Sequence, residues 1–186
     1  MSTLEVNSIQ PLSSGTTVTL GASGKTFTIP SGCTISNSGT ATGFGGGKIG
    51  QQIVGTSSTQ ITDNSGAYID TGLTVNITPS ATSSKINIIV SMPIRMDGLG
   101  GTDNGMKLKF MRDSTAIWEG DGNQIYLYCG GSHAEINFQW TQFVLDTPST
   151  TSQITYKVQS ERSGDTRYSV MFNSKPGYIV AQEILA

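Results

Sequence analysis

The stretch 72–94, GLTVNITPSATSSKINIIVSMPI, limits what this chain can become more than any other. Leu73, Val75 and Ile77 alternate with Thr74, Asn76 and Thr78, and Ile86, Ile88, Val90, Met92 and Ile94 hold one parity across the second run. Successive side chains of a strand point to opposite faces, so each run offers one apolar face to a core. A helix would scatter the same residues around its circumference. Pro79, Ser80 and the Ser/Thr cluster through Ser84 interrupt the pattern with a fixed φ and with side chains that bond their own backbone. Two strands joined as a hairpin-like unit are predicted, and the rest of the chain must cover their apolar faces.

The sequence after residue 47 supplies that cover in short β-type runs at 48–55, 58–63, 67–69, 106–112, 115–119, 124–129, 135–146, 153–160, 166–172 and 177–185. Turn signals such as DNSG, DGLGG, DGN and SGD separate them. No segment keeps helical periodicity over three turns, and on the order of ten strands at this spacing is the signature of a β-sandwich or barrel. The predicted core face carries Val75, Ile77, Ile86, Ile88, Val90, Phe138 and Trp140.

The first 47 residues read differently. Residues 1–12 hold one short alternating piece with Leu4, Val6 and Ile9, and are assigned as an attachment arm that needs a neighbour. Residues 13–47 form a Gly/Ser-rich stretch in which short β pieces carry two apolar residues each: Val18 with Leu20, Phe27 with Ile29, Cys33 with Ile35. So few apolar groups do not offset a chain entropy of about 1–2 kcal/mol per residue in a monomer. The stretch is therefore either a linker or a shaft in which copies of the chain share Val18, Leu20, Phe27, Ile29 and Ile35 around a common axis. GFGGG, residues 43–47, marks the boundary and a hinge before a C-terminal domain at 48–186.

Composition excludes several classes of partner. In 186 residues only 13% are charged and the net charge is −2, which suits neither a phosphate backbone nor an acidic tail. No apolar run has membrane-spanning length, and the start is not that of a secretory leader. Cys33 and Cys129 stand far apart, outside any CxxC or Cys/His cluster, and are read as free thiols.

Catalytic and metal chemistry find no residues to nominate. The single histidine, His133, lies in the glycine-flanked loop CGGSHAE, where only Glu135 is near in sequence and nothing orients it as a base. Asp97, Asp103, Asp121 and Asp165 stand beside glycines, where aspartate caps its own backbone, and none belongs to a spaced calcium-loop motif. No cofactor is expected. Tyr126 and Tyr128 share the face opposite Ile125 and Leu127, and with His133 they form a candidate surface for a ligand or a subunit contact. Recognition is expected in loops at 97–105 and 120–134.

Four segments carry a family resemblance: MSTLEVNSIQ, TFTIPSGCTISNSGTATGFGGGKIGQ, GLTVNITPSATSSKINIIV, and LDTPSTTSQITYKVQ with the terminal EILA. With them the chain resembles short tail-fibre-like virion proteins of marine and cyanobacterial bacteriophages. The resemblance implies an all-β protein: an N-terminal arm, a short trimeric β shaft, and an antiparallel jelly-roll-like sandwich similar to tumour-necrosis-factor domains. It further implies a homotrimer in the virion, bound to other virion proteins through its arm, with a host-surface glycan as a possible ligand class. The function so implied is a non-enzymatic fibre that presents its C-terminal domain for host adhesion. The alternative is a trimeric capsid decoration or cement protein, or a head fibre, with no host ligand.

Overall fold

The computed structural model describes residues 48–63, 65–98, 103–120, 122, 124–128, 131–164 and 166–185, with isolated positions at 9, 26, 28, 31 and 32. The chain divides into two units, Met1–Phe44 and Gly45–Ala186. The arm at 1–12, the shaft residues Val18, Leu20, Phe27, Ile29 and Ile35, and both cysteines lie outside the described residues.

The second unit is an antiparallel β-sandwich. Its strands are β1 (Ile49–Ser57), β2 (Ile61–Asp63), β3 (Ile69–Ile77), β4 (Lys85–Gly98), β5 (Asp103–Arg112) and β6 (Thr115–Glu119). They continue as β7 (Ile125–Tyr128), β8 (Ala134–Asp146), β9 (Ile154–Ser163), β10 (Arg167–Val170) and β11 (Gly177–Ile184). A six-stranded sheet runs β1-β11-β4-β10-β2, with β8 on the other edge of β4, and a five-stranded sheet runs β3-β9-β5-β6, with β7 also on β5. Strands pair as nested partners, β1 with β11, β3 with β9, β4 with β8 and β5 with β6. Successive partners alternate between the two sheets, which is the winding of a jelly roll.

The alternation read from the sequence is the one the core uses. Leu73, Val75, Ile77, Ile86, Ile88, Val90, Met92 and Ile94 are all buried, and Phe138 and Trp140 pack half-buried against them. Phe110 lies between the two tryptophans, edge-on to Trp118 at 5.5 Å and tilted against Trp140 at 6.2 Å. Among the described residues the buried polar side chains are tied, Ser84 Oγ excepted. Tyr156 donates to Asp146 at 2.7 Å, and Arg112 reaches both oxygens of that carboxylate at 3.0 Å. Burial, reinforced by Asp146, pushes the Tyr156 phenol well above its ordinary range.

The hairpin expected across 72–94 does not form. β3 pairs with β9 in one sheet and β4 with β8, β10 and β11 in the other, so Thr78–Ser84 carries the chain between sheets instead of reversing it within one. Both apolar faces point at the same core, and two strands facing each other across a core cannot share a ladder. Glu183 on β11 pins the crossing: its carboxylate accepts from the Ser80 N–H at 2.6 Å, the Ser80 hydroxyl at 2.7 Å and Gln51 Nε2 at 2.7 Å.

Two glycines are demanded by the backbone. Gly72 takes φ +80 where three residues, Thr71–Leu73, face the single Val158, and Thr71 Oγ1 closes that bulge on the Val158 carbonyl at 2.9 Å. Gly55 lets β1 lie against β3, for a Cβ there would stand 2.0 Å from the Thr74 carbonyl oxygen.

Candidate functional site

The two outward faces of the sandwich differ in chemistry. On the five-stranded sheet, the register places Asp70, Gln159, Lys109 and Glu119 in one row across β3, β9, β5 and β6. Gln159 donates to Asp70 at 2.7 Å, Lys157 pairs with Asp70 at 2.9 Å and Lys107 with Glu161 at 3.0 Å. The Lys109 ammonium sits 3.7 Å above the Tyr68 ring, whose hydroxyl donates to Glu119 at 2.8 Å. This is a surface laced with charge for contact with water.

The outward face of the six-stranded sheet carries an apolar row instead. Val54 on β1 faces Val180 on β11, Val180 faces Ile89 on β4, and Ile89 faces Phe143 on β8. Val54 is 53% and Phe143 69% exposed, and Leu145 and Tyr178 lie exposed on neighbouring rows. One side of the apolar row is an amide row, in which Asn87 donates to Gln182 at 3.1 Å and Gln182 to Gln52 at 2.6 Å. The other side is a hydroxyl row with Ser91 and Thr141 3.1 Å apart. Along β4 the outward positions between Lys85 and Arg95 are Asn87, Ile89, Ser91 and Pro93, all uncharged.

The same face ends at an unpaired edge. β8 pairs with β4 alone among the described residues, and its register runs unbroken from Ile86↔Asp146 to Gly98↔Ala134. Natural edge strands are usually blunted by lysine, proline or a bulge. Between Glu135 and Asp146, β8 has none of these.

Charge returns at the far end of β4. Arg95 pairs with Glu135 at 2.7 Å and stands 3.5 Å from Asp97, while its guanidinium lies 4.9 Å over the Phe172 ring. His133 Nε2 lies against Asp97 Oδ1. The expectation that nothing orients His133 is thereby corrected: Asp97 holds it, and the nearby Glu135 is engaged by Arg95. Asp97 itself is a strand residue with side-chain partners rather than a turn cap. The loop expected at 97–105 is shorter, because β4 extends through Gly98 and β5 begins at Asp103. The loop expected at 120–134 likewise contains β7. The cause is the long register of β4 with β8, which extends a strand past the Asp-Gly pair that reads as a turn.

The sequence-predicted site residues separate. Tyr126 and Tyr128 stand on β7 in the five-stranded sheet, 51% and 71% exposed, while His133 joins the network of the six-stranded sheet. Reasoning from sequence missed Arg95, Arg167 and Phe172, which only the pairing of β10 with β4 brings together. Asp121 and Asp165 lie outside the described residues. No group of three or more His, Cys, Asp or Glu among the described residues is placed to hold a metal.

Fold and surface together define a jelly-roll β-sandwich with one charge-laced and one largely uncharged outward face. No protein-family model and no curated protein matches the chain. Among solved structures, the infectious bursal disease virus Gt strain structure aligns at TM-score 0.32 and 17% identity, over 74% of this chain and 39% of that one. The infectious bursal disease virus VP2 subviral particle aligns at TM-score 0.31 and 16% identity, over 74% of this chain and 38% of that one. The chain thus spans under two fifths of the length of these proteins. Likeness at that level carries no argument, and the fold rests on the strand pairing above.

Proposed function

We infer that the protein is a structural component of a virion, a homotrimeric fibre whose C-terminal sandwich is presented for adhesion to a host surface. The observation that carries self-association is the contrast between the two outward faces. The Val54–Val180–Ile89–Phe143 row is uncharged, half-buried at its middle and exposed at both ends, and continuous with a bare strand edge, whereas the opposite face is laced with ion pairs. A surface without charge matches a second copy of itself better than an acidic or basic partner, and exposed apolar rows of this kind mark contact surfaces. Three copies, the virion and the anchoring arm follow from the resemblance of the chain to tail-fibre-like phage proteins. The reading is non-enzymatic.

The place on the particle tests it. Gold-labelled antibody against the sandwich, viewed by electron microscopy on intact virions, is expected at the tail, and the purified protein is expected to block adsorption to host cells. Labelling spread over the head lattice, with adsorption unaffected, would instead make it a decoration protein that uses the same assembly surface.

A further inference from the structure

At the end of the six-stranded sheet where β10 and β2 take the place of β11 and β1, a cleft of about 260 Å³ opens on the outward face. Its position follows from register. Thr62, Ser169 and Arg95 form one cross-strand row, and Arg167 faces Asp97 in the next. Along β4, Arg95 lies six residues from Ile89, about 20 Å from the apolar row at the rise of a strand. One wall is Phe172, held by a β10–β11 connection in which Met171, Asn173 and Ser174 all take left-handed backbone at φ 49, 58 and 54. A second cleft of about 260 Å³ shares Phe172 with the first, with Asn137, Gln139 and Lys175 also in its lining.

The groups in the first cleft are unequally occupied. Arg95 is neutralised by Glu135 and Asp97 and stacked on Phe172. Arg167 is exposed and has no carboxylate within pairing distance among the described residues. Around it stand polar groups tied to one another, each oxygen with a lone pair to spare: Asp97, held by Arg95 and His133; Gln60, which donates to Thr62 at 3.4 Å and accepts from the Asn173 N–H at 3.0 Å; and the Thr62–Ser169 pair 2.8 Å apart. One spare guanidinium suits one carboxylate, bound through paired N–H donors. The Asp97 carboxylate in the lining disfavours an anion with several charges per unit, such as a sulfated chain, while Asp97, Gln60 and Thr62 have acceptor capacity for the hydroxyls of a sugar ring that carries a single carboxylate. Two adjoining clefts suit successive units of a chain better than a lone small anion.

We propose that these clefts bind an acidic polysaccharide, with the carboxylate of a uronic acid unit on Arg167 and its ring hydroxyls on Asp97, Gln60 and Thr62. The biological use of the site rests on the adhesion reading, but binding itself does not depend on it. Each contact is weak and millimolar affinity per site is sufficient, because several copies displayed together raise avidity.

The test is titration of the full-length protein with trigalacturonate, followed by nuclear magnetic resonance of the arginine side chains, with maltotriose as the uncharged control and sodium sulfate as competitor. Trigalacturonate is expected to shift the Arg167 signal. The variant Arg167→Gln, checked for an unchanged melting temperature, is expected to weaken binding about tenfold or more, as loss of a charge-assisted pair implies. Thr62→Val, which removes only a hydroxyl, is expected to weaken it by a smaller factor. No response to trigalacturonate, equal binding by maltotriose, binding untouched by Arg167→Gln, or complete displacement by stoichiometric sulfate would each overturn the proposal. The mass of the same sample is read separately. A monomer that binds would leave the site standing and remove the trimer, and a trimer that does not bind would do the reverse.

Discussion

Single residues set the limits of this sandwich, and Glu183 is the clearest case. It is 1% exposed, and burial alone would raise its pKa, yet hydrogen bonds from Ser80 and Gln51 outweigh burial and hold the carboxyl at about 2. The folded state therefore binds this proton more weakly than the unfolded chain does. The stability so gained is present above the ordinary carboxylate pKa of 4.5 and is lost as pH falls toward about 2. At about 1.4 kcal/mol per pH unit, the loss amounts to about 3 kcal/mol. Urea unfolding at pH 5.5 and pH 2.5 is expected to show most of that loss, about 2.5 kcal/mol, and Glu183→Gln is expected to flatten the dependence while lowering stability at the higher pH. Equal pH dependence in the two proteins would remove Glu183 from the account. Gly55 gives a second expectation at this scale. Gly55→Ala forces a Cβ to within 2.0 Å of the Thr74 carbonyl unless β1 withdraws from β3, and a cost of about 1–3 kcal/mol in thermal unfolding is expected. An unchanged melting temperature would mean that the two strands separate freely.

Among the elements, β4 organises the fold, pairing with β8 along its whole length and with β11 and β10 on its other edge. Ile88 lies fully buried where β4 runs between β8 and β11, and Ile88→Ala is expected to cost about 2–5 kcal/mol in chemical unfolding, whereas Ser91→Ala on the opposite face is expected to cost well under 1 kcal/mol. Equal costs would place the core on the wrong face. The parity of β3 and β4 was legible in the sequence, because Leu73–Ile77 alternates strictly and Ile86–Ile94 keeps one apolar parity throughout, with Ile89 the one large aliphatic residue on the other face. Their partners were not legible. An apolar face reveals that a strand meets a core, but not which ladder it joins, so a sheet-crossing connection such as Thr78–Ser84 reads as a hairpin turn. Candidate site residues were lost in the same way. Arg95, Arg167 and Phe172 are separated in sequence and met by long-range pairing, and Asp97-Gly98 carries the composition of a turn while lying in a strand. His133 was nominated for its chemistry, and its partner Asp97 comes from β4, 36 residues away.

In the molecule as a whole, the two outward faces are asymmetric. A β-sandwich that stays single in water is expected to put charge on both outward surfaces and to blunt its edges. Here the five-stranded sheet does so, and the six-stranded sheet offers Val54, Val180, Ile89 and Phe143 in one row beside the open edge of β8. Burying that row between copies removes the exposed apolar area and covers the edge together. A charge placed at either end of the row is tolerated by the fold, since both ends are exposed, but not by the assembly. The most direct measurement is sedimentation equilibrium of the full-length protein at micromolar concentration, beside the double variant Val54→Asp/Phe143→Asp with its melting checked. Self-association through the uncharged face predicts three chain masses for the unmodified protein and a single chain mass for a variant that still unfolds cooperatively. A single chain mass for the unmodified protein, or three chain masses for the variant, would contradict it.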